Sequence, residues 1–181
     1  KRLLLFSKPT SNQKEEVDLH QLLRITTDWV QEAFPGYQIE FSTSFDERLP
    51  AVQADAKAME HLFTNILKNA VEASGENCQI AISTTYQKNR KQVEIQIRDF
   101  GISMSDEIKH KIFDPFFSTK DNGTGLGLSI CNEIIKAHDG SICFKKPQAS
   151  AATIQQWDHN TNLGDIGSPA GTVCCITLPV S

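Results

Sequence analysis

No stretch of this sequence limits the fold as tightly as the nineteen residues Ala56-Lys57-Ala58-Met59-Glu60-His61-Leu62-Phe63-Thr64-Asn65-Ile66-Leu67-Lys68-Asn69-Ala70-Val71-Glu72-Ala73-Ser74. Leu62, Phe63, Ile66, Leu67, Ala70 and Val71 recur at three-to-four spacing. That spacing gathers them on one side of a helix and demands an apolar surface to cover it. Asp55 stands where an N-cap belongs.

Candidates for the covering surface follow in the chain. Residues 80–86 and 93–98 read as strands joined by the polar turn Gln87-Lys88-Asn89-Arg90-Lys91, which makes an antiparallel hairpin. Residues 141–144 and 173–178 read as closing strands, and Ile39, Phe41, Thr43 and Phe45 alternate with polar residues as in a half-buried strand. Two more helices are expected. One runs from an Asp18 cap through Leu22, Leu23, Trp29, Val30 and Phe34 to the stop at Pro35-Gly36; the other spans 126–138 and ends at Gly140. The opening Lys1–Ser7 is helix-like until Pro9 stops it. The division expected is therefore 1–16, the end of a preceding helix and a linker, and 17–181, one domain. Residues 147–171 show no period and read as an inserted loop.

At 181 residues the chain suffices for one domain with a sizeable core. Its formal net charge of −4 argues against a nucleic-acid partner, which would need a basic surface. No apolar run approaches the roughly 20 residues that cross a bilayer. The five cysteines, Cys78, Cys131, Cys143, Cys174 and Cys175, form no C-x-x-C pair. They read as reduced thiols of a cytoplasmic protein.

Three segments carry candidate chemistry. Asn65 and Asn69 are four residues apart, so they share a helix face beside the apolar stripe. Asparagine is a poor helix former, and two at this spacing suit a metal or phosphate partner, or else two satisfied amides at a helix edge. Asp99 ends a strand and enters Asp99-Phe100-Gly101, where Gly101 allows close backbone approach. A carboxylate there can accept from an exocyclic amine such as that of adenine, although Asp-x-Gly is also an ordinary turn. Gly123-Thr124-Gly125-Leu126-Gly127-Leu128 leads directly into a helix. Closely spaced glycines at a helix N-terminus bring backbone N–H groups to phosphate oxygens. The spacing is neither the dinucleotide fingerprint nor a P-loop. Between the glycine segments lies Phe113-Asp114-Pro115-Phe116-Phe117-Ser118-Thr119-Lys120, whose phenylalanines can pin a lid and whose Lys120 can reach phosphate as a point charge.

In this order the segments resemble the N, G1, F and G2 boxes of the sensor histidine kinases, the catalytic ATP-binding domain of two-component systems within the wider GHKL ATPase superfamily. The resemblance runs from about Val17 to Pro179, and Asn69-Ala70-Val71-Glu72-Ala73 with Phe116-Phe117-Ser118-Thr119-Lys120 looks most like the nitrogen-regulation subgroup. It implies a two-layer α/β sandwich of Bergerat type: a mixed, mainly antiparallel sheet with helices on one face and a mobile lid over 102–123. ATP and Mg²⁺ are the implied cofactors. By position, Asn69 would bind the metal, and Asn65 and Lys120 would serve the phosphoryl transfer. Asp99 would take the adenine amino group, with Thr172 joining it through water. Gly101, Gly123, Thr124, Gly125, Leu126, Gly127 and Leu128 would complete the nucleotide site.

Implied partners are the protein's own dimerisation and phosphoacceptor helices, as a homodimer, and a response regulator. Neither nucleic acid nor direct membrane contact is implied for this segment. Ser103 and Phe100 depart from the family, which favours a second glycine and a small polar residue there. ATP-hydrolysing relatives of the fold carry a glutamate where this chain has Asn65, and an amide is a poor base for activating water. A kinase therefore fits better than an ATPase or a nucleotide-independent binding module. None of His20, His61, His110, His138 and His159 sits in a phosphoacceptor context, so the acceptor histidine is expected upstream of Lys1.

Overall fold

Asp18 and Asp55 act as the sequence requires, each starting a helix with its own carboxylate. In the computed structural model, which describes residues 14–120, 123–147 and 170–180, Asp18 Oδ1 accepts from the His20 and Gln21 N–H groups and opens helix α1, Leu19–Ala33. Asp55 Oδ1 accepts from the Ala58 N–H and opens α2, Ala56–Ser74. Every residue of the apolar stripe is buried there. Trp29, counted with the apolar residues of α1, is instead half exposed and lies under the Lys68 ammonium at 5.7 Å.

The remaining elements, in chain order, are β1 Glu15–Val17, β2 Gln38–Ser44, β3 Val52–Ala54, β4 Asn77–Gln87, β5 Gln92–Asp99, the short α3 Asp106–Lys109, α4 Gly127–Ala137, β6 Ser141–Lys145 and β7 Thr172–Pro179. Five strands form one sheet in the order β2-β4-β5-β7-β6; the β2–β4 pair is parallel and the other three are antiparallel. The mixed, mainly antiparallel sheet is thus as expected. A second sheet, β1 with β3, was not anticipated. It pairs Glu15 with Ala54, so a strand starts inside the segment read as linker. The helix expected at the start of the chain, like the 148–169 part of the insertion, lies outside the described residues.

Register decides which sheet face is covered. Ile82 stands opposite Ile97, Ile97 opposite Cys174, and Ile95 opposite Ile176. These alternate positions join Leu62, Phe63, Leu67 and Ile135 in one core. The intervening Glu94 and Gln96 face away and hydrogen-bond to each other, the half-solvated sheet that antiparallel pairing permits. Asp99 is in step with Ile97 and Ile95, so the strand delivers its carboxylate to the helix-covered side at the end of the sheet. At the far end of α4 the His138 ring joins helix to helix: Nε2 accepts from the Asp55 N–H at 3.0 Å, and Nδ1 donates to the Ile134 carbonyl at 2.7 Å. Among the described residues no helix is long and apolar enough to cross a membrane.

Candidate functional site

Where α2 runs past the end of β5, the sheet and the helix do not close on each other, and a cavity of about 640 Å³ opens. Asn65 and Asn69 line it from α2, Asp99 from β5, Thr172 from β7, and Lys120, Gly123, Thr124, Gly125, Gly127 and Leu128 from the connecting segment. Ten of the twelve residues expected at the site thus come together. Gly101 and Leu126 do not line it. Gly101 is instead a packing glycine: a Cβ there would stand 2.2 Å from the Ala73 carbonyl oxygen, and the next N–H, of Ile102, donates to that oxygen. The close approach foreseen for Gly101 is therefore to the end of α2. Leu126 is the residue before α4, and its carbonyl accepts from the Ser129 hydroxyl.

Asp99 is almost wholly buried, at 7% exposed. One oxygen, Oδ1, accepts from the Gly101 N–H at 3.1 Å and from the Thr172 N–H at 3.2 Å, which leaves Oδ2 as the acceptor available to a ligand. Burial pushes the carboxyl up to about 6; the two N–H donors and the neighbouring Arg98 oppose that rise without cancelling it. Thr172 reaches Asp99 directly through its backbone. Ile97, Met104, Ile108, Ile112 and Cys174 supply apolar lining beside the carboxylate, a surface suited to a flat ring with a polar edge.

The amide pair on α2 meets a different environment. Asn65 Nδ2 is buried and has no oxygen acceptor among the described residues, only the weakly accepting Cys131 thiol beside it, a cost that a ligand oxygen would remove. Gly127 faces the same side chain: a Cβ on it would stand 3.5 Å from Asn65 Oδ1. One turn on, Asn69 Oδ1 accepts from the Lys120 ammonium at 3.1 Å, and the same ammonium pairs with the Glu72 carboxylate. No side chain caps the N-terminus of α4, which begins at Gly127, so its first N–H groups can bind an anion. Gly125 holds φ +68° with its carbonyl accepting from the Phe116 N–H; a Cβ would stand 2.3 Å from the Phe116 carbonyl carbon.

Both departures from the expected motif have local explanations. Phe100 stacks under the Arg98 guanidinium, 4.3 Å from its ring centre. Ser103 Oγ accepts from the Gly171 N–H at 3.0 Å, tying the loop after β5 to the residue before β7. Glu72 and Ser103 are cavity residues that motif reading did not assign to the site. Glu72 was detectable, being three residues after Asn69 on the same helix face. Nothing local marks the Ser103 bond, which joins residues 68 apart.

Residues 54–181 match the family described as histidine kinase-, DNA gyrase B-, and HSP90-like ATPase. The signal transduction histidine-protein kinase AtoS of Escherichia coli K12 is 39% identical over 141 residues, which are 78% of this chain and 23% of that protein. The sensory histidine kinase/phosphatase NtrB of Azospirillum brasilense is 30% identical, over 79% of this chain and 39% of that protein. The solved catalytic domain of histidine kinase ThkA superposes with a TM-score of 0.71 at 30% identity, covering 92% of this chain and 95% of that one. ThkA has also been solved in complex with the response regulator protein TrrA. The chain spans 23–33% of the length of the first curated relatives it matches.

Proposed function

Because the chain belongs to the histidine kinase-, DNA gyrase B- and HSP90-like ATPase family and carries the ATP-binding catalytic domain of its histidine kinases, we propose that its cavity holds Mg-ATP for phosphoryl transfer to a histidine outside this chain. The observation that carries the reading is the pairing, in one cavity, of a buried carboxylate anchored through one oxygen with an amide oxygen already holding a cation. Asp99 Oδ2 takes the adenine amino group, and the apolar lining beside it covers the ring faces. Asn65 Nδ2 donates to a phosphate oxygen and so gains the oxygen acceptor it lacks. The N–H groups at the start of α4 bind phosphate together with Gly123, Thr124 and Gly125, while Leu128 and Gly127 set the helix against α2. Segment 102–120, with the glycines beyond it, serves as the lid.

The residues fit a magnesium ion, since Asn69 Oδ1 holds a cation in this structure and Mg²⁺ takes oxygen ligands. When bound, the metal supplies charge neutralisation on the phosphates. Lys120 adds a point charge to the same end of the nucleotide. Among the described residues, the acidic side chains lining the cavity are Asp99 and Glu72. Asp99 holds N–H donors through Oδ1 and would hold the adenine amine through Oδ2, and Glu72 is paired with Lys120. The residue one turn before Asn69 is an amide, which supports transfer to a nucleophile over activation of water. A neutral imidazole needs positioning more than a base.

The chain's own histidines support an external acceptor. The His20 ring stacks on Phe45 at 4.4 Å and bonds to the Thr84 hydroxyl, and His138 is buried between α4 and α2. His61 is fixed on α2 one turn before Asn65, His110 caps the end of the short α3 in the lid segment and faces solvent, and His159 lies outside the described residues. In the whole protein the acceptor helices would dimerise, and a response regulator would receive the phosphoryl group in the cytoplasm. Incubating this chain with radiolabelled ATP and Mg²⁺ should give no acid-labile label, while adding acceptor helices should restore it. Efficient labelling of the chain alone would overturn the assignment, and so would calorimetry showing no Mg²⁺-dependent ATP binding.

A further inference from the structure

The contact between Lys120 and α2 crosses about fifty residues of sequence and ends on two oxygens three residues apart, Asn69 Oδ1 and the Glu72 carboxylate. Residues at i and i+3 share a helix face, so the two oxygens converge on one point above α2. An ammonium sits at that point. Its chemistry there is that of a hard cation: a compact, strongly hydrated positive charge between an amide carbonyl and a carboxylate. The side chains of Lys120 and Glu72 are 46% and 38% exposed, so water and a dissolved ion can reach the same place.

We propose that Glu72 and Asn69 form one cation seat for which the Lys120 ammonium and the nucleotide's divalent metal compete, so that metal entry releases Lys120 and its lid segment toward the phosphates. The inference rests on the Mg-ATP reading and adds Glu72 to it as a positioning residue. Two like charges do not share a seat of this size, because their repulsion acts at a separation shorter than the roughly 8 Å screening length of physiological salt. Metal binding and the Lys120 contact are therefore exclusive, and the seat couples the metal to the position of the lid. Glu72 acts in both states. It holds Lys120 against α2 in the present arrangement, and it faces the metal, directly or through water, in the other.

The coupling requires opposite effects from two neutral substitutions, Glu72→Gln and Lys120→Gln. Both side chains are partly exposed, and neither substitution should disturb the fold. The probe is Mn²⁺ alone, titrated without nucleotide while NMR follows paramagnetic broadening of the Asn69 and residue-72 amides. Glu72→Gln should raise the Mn²⁺ midpoint roughly tenfold, the usual scale for losing a residue that supports a metal ligand. Lys120→Gln should lower it. Both variants should speed amide exchange across 116–120, since each breaks the contact. Equal midpoints for all three proteins, or shifts in the same direction, would reduce the Lys120–Glu72 pair to an ordinary surface ion pair and overturn the proposal. Wild-type calorimetry with ATP and Mg²⁺ separates the two readings. Absence of binding there sinks the function itself, whereas normal binding with an unchanged metal requirement in Glu72→Gln sinks only the seat.

Discussion

On one wall of the cavity, Asn65 and Asn69 stand on a nineteen-residue helix whose Leu62, Phe63, Leu67 and Val71 are fully buried, and Asp99 ends a strand paired on both sides. On the other wall the chain from Phe100 to Leu126 includes one four-residue helix, and its Ile102 and Phe116 are 83% and 71% exposed. What fastens this second wall, among the described residues, is sparse: the Ile102 N–H on the Ala73 carbonyl, the buried Ile112, Asp106 with Lys146, Phe113 against Phe144, the Phe116–Gly125 bond, Ser103 on Gly171 and Lys120 on α2. Under the proposed function, the groups that would read the nucleotide thus stand on the well-packed wall. The groups that would close over phosphate stand on the sparsely fastened wall, where local opening should cost less, as lids require.

The contrast predicts its largest effect for equal truncations on the two walls. Phe63→Ala empties a fully buried site and should cost about 3–5 kcal/mol of unfolding free energy. Phe116→Ala, on the lid, should stay within about 0.5 kcal/mol of wild type. Urea unfolding measures both. Comparable losses would mean that the lid is as integral to the folded unit as α2, and the comparison would fail.

Much of the packed wall was legible in the sequence, and little of the lid was. The apolar stripe of α2, the Asp18 and Asp55 caps and the β4–β5 hairpin are local patterns, and each appears where the residues required. The β1–β3 pair was missed because strands of three residues carry too little alternation to register, and Glu15 and Glu16 are exposed. Ser105 capping α3, with Asp106 and Glu107 in the first turn, was a readable signal that went unused. Gly101 was read as making room for a ligand when the atom it approaches belongs to Ala73. That distinction depends on where the end of α2 lies relative to β5, which no local pattern encodes. The same holds for Lys120 on Glu72.

A smaller effect is expected at Asp99, where the packed wall meets the ligand. Burial raises its carboxyl from 3.8 to about 6, so between those values the folded chain binds a proton that the unfolded chain does not. The group therefore favours the folded state most below pH 3.8, and that contribution is lost as pH rises through about 6. Asp99→Asn keeps an oxygen for the Gly101 and Thr172 N–H groups and removes the buried charge. At pH 7.5 the nucleotide-free variant should match wild type or gain up to about 1–3 kcal/mol. Its ATP affinity should fall about 10–100-fold, the worth of one hydrogen bond to a charged group. Wild-type affinity should decline as pH drops through about 6, while the variant's should not. Calorimetry over pH 5–8 tests this, and parallel pH profiles would remove the Asp99 carboxylate from adenine recognition.

The smallest effect, and the one that most sharpens the contrast, is expected where the two walls are tied together. Ser103 stands where the motif resemblance implied glycine, and its hydroxyl oxygen accepts from the buried Gly171 N–H. Glycine would offer no such acceptor, so the serine supplies a tether at the root of this segment. Ser103→Ala deletes the acceptor while leaving the backbone angles accessible, and the loss should be about 0.5–1.5 kcal/mol, the net worth of one neutral hydrogen bond. That energy should act locally. The Gly171 amide should exchange faster while α2 amides keep their protection, because the packed wall does not depend on the tether. Ser103→Gly should loosen the loop further, since it adds backbone freedom to the same loss. Gly171 exchange unchanged in Ser103→Ala would show that the lid's root is held by the Gly101–Ala73 approach alone. Accelerated exchange reaching into α2 would show instead that the two walls open as one unit.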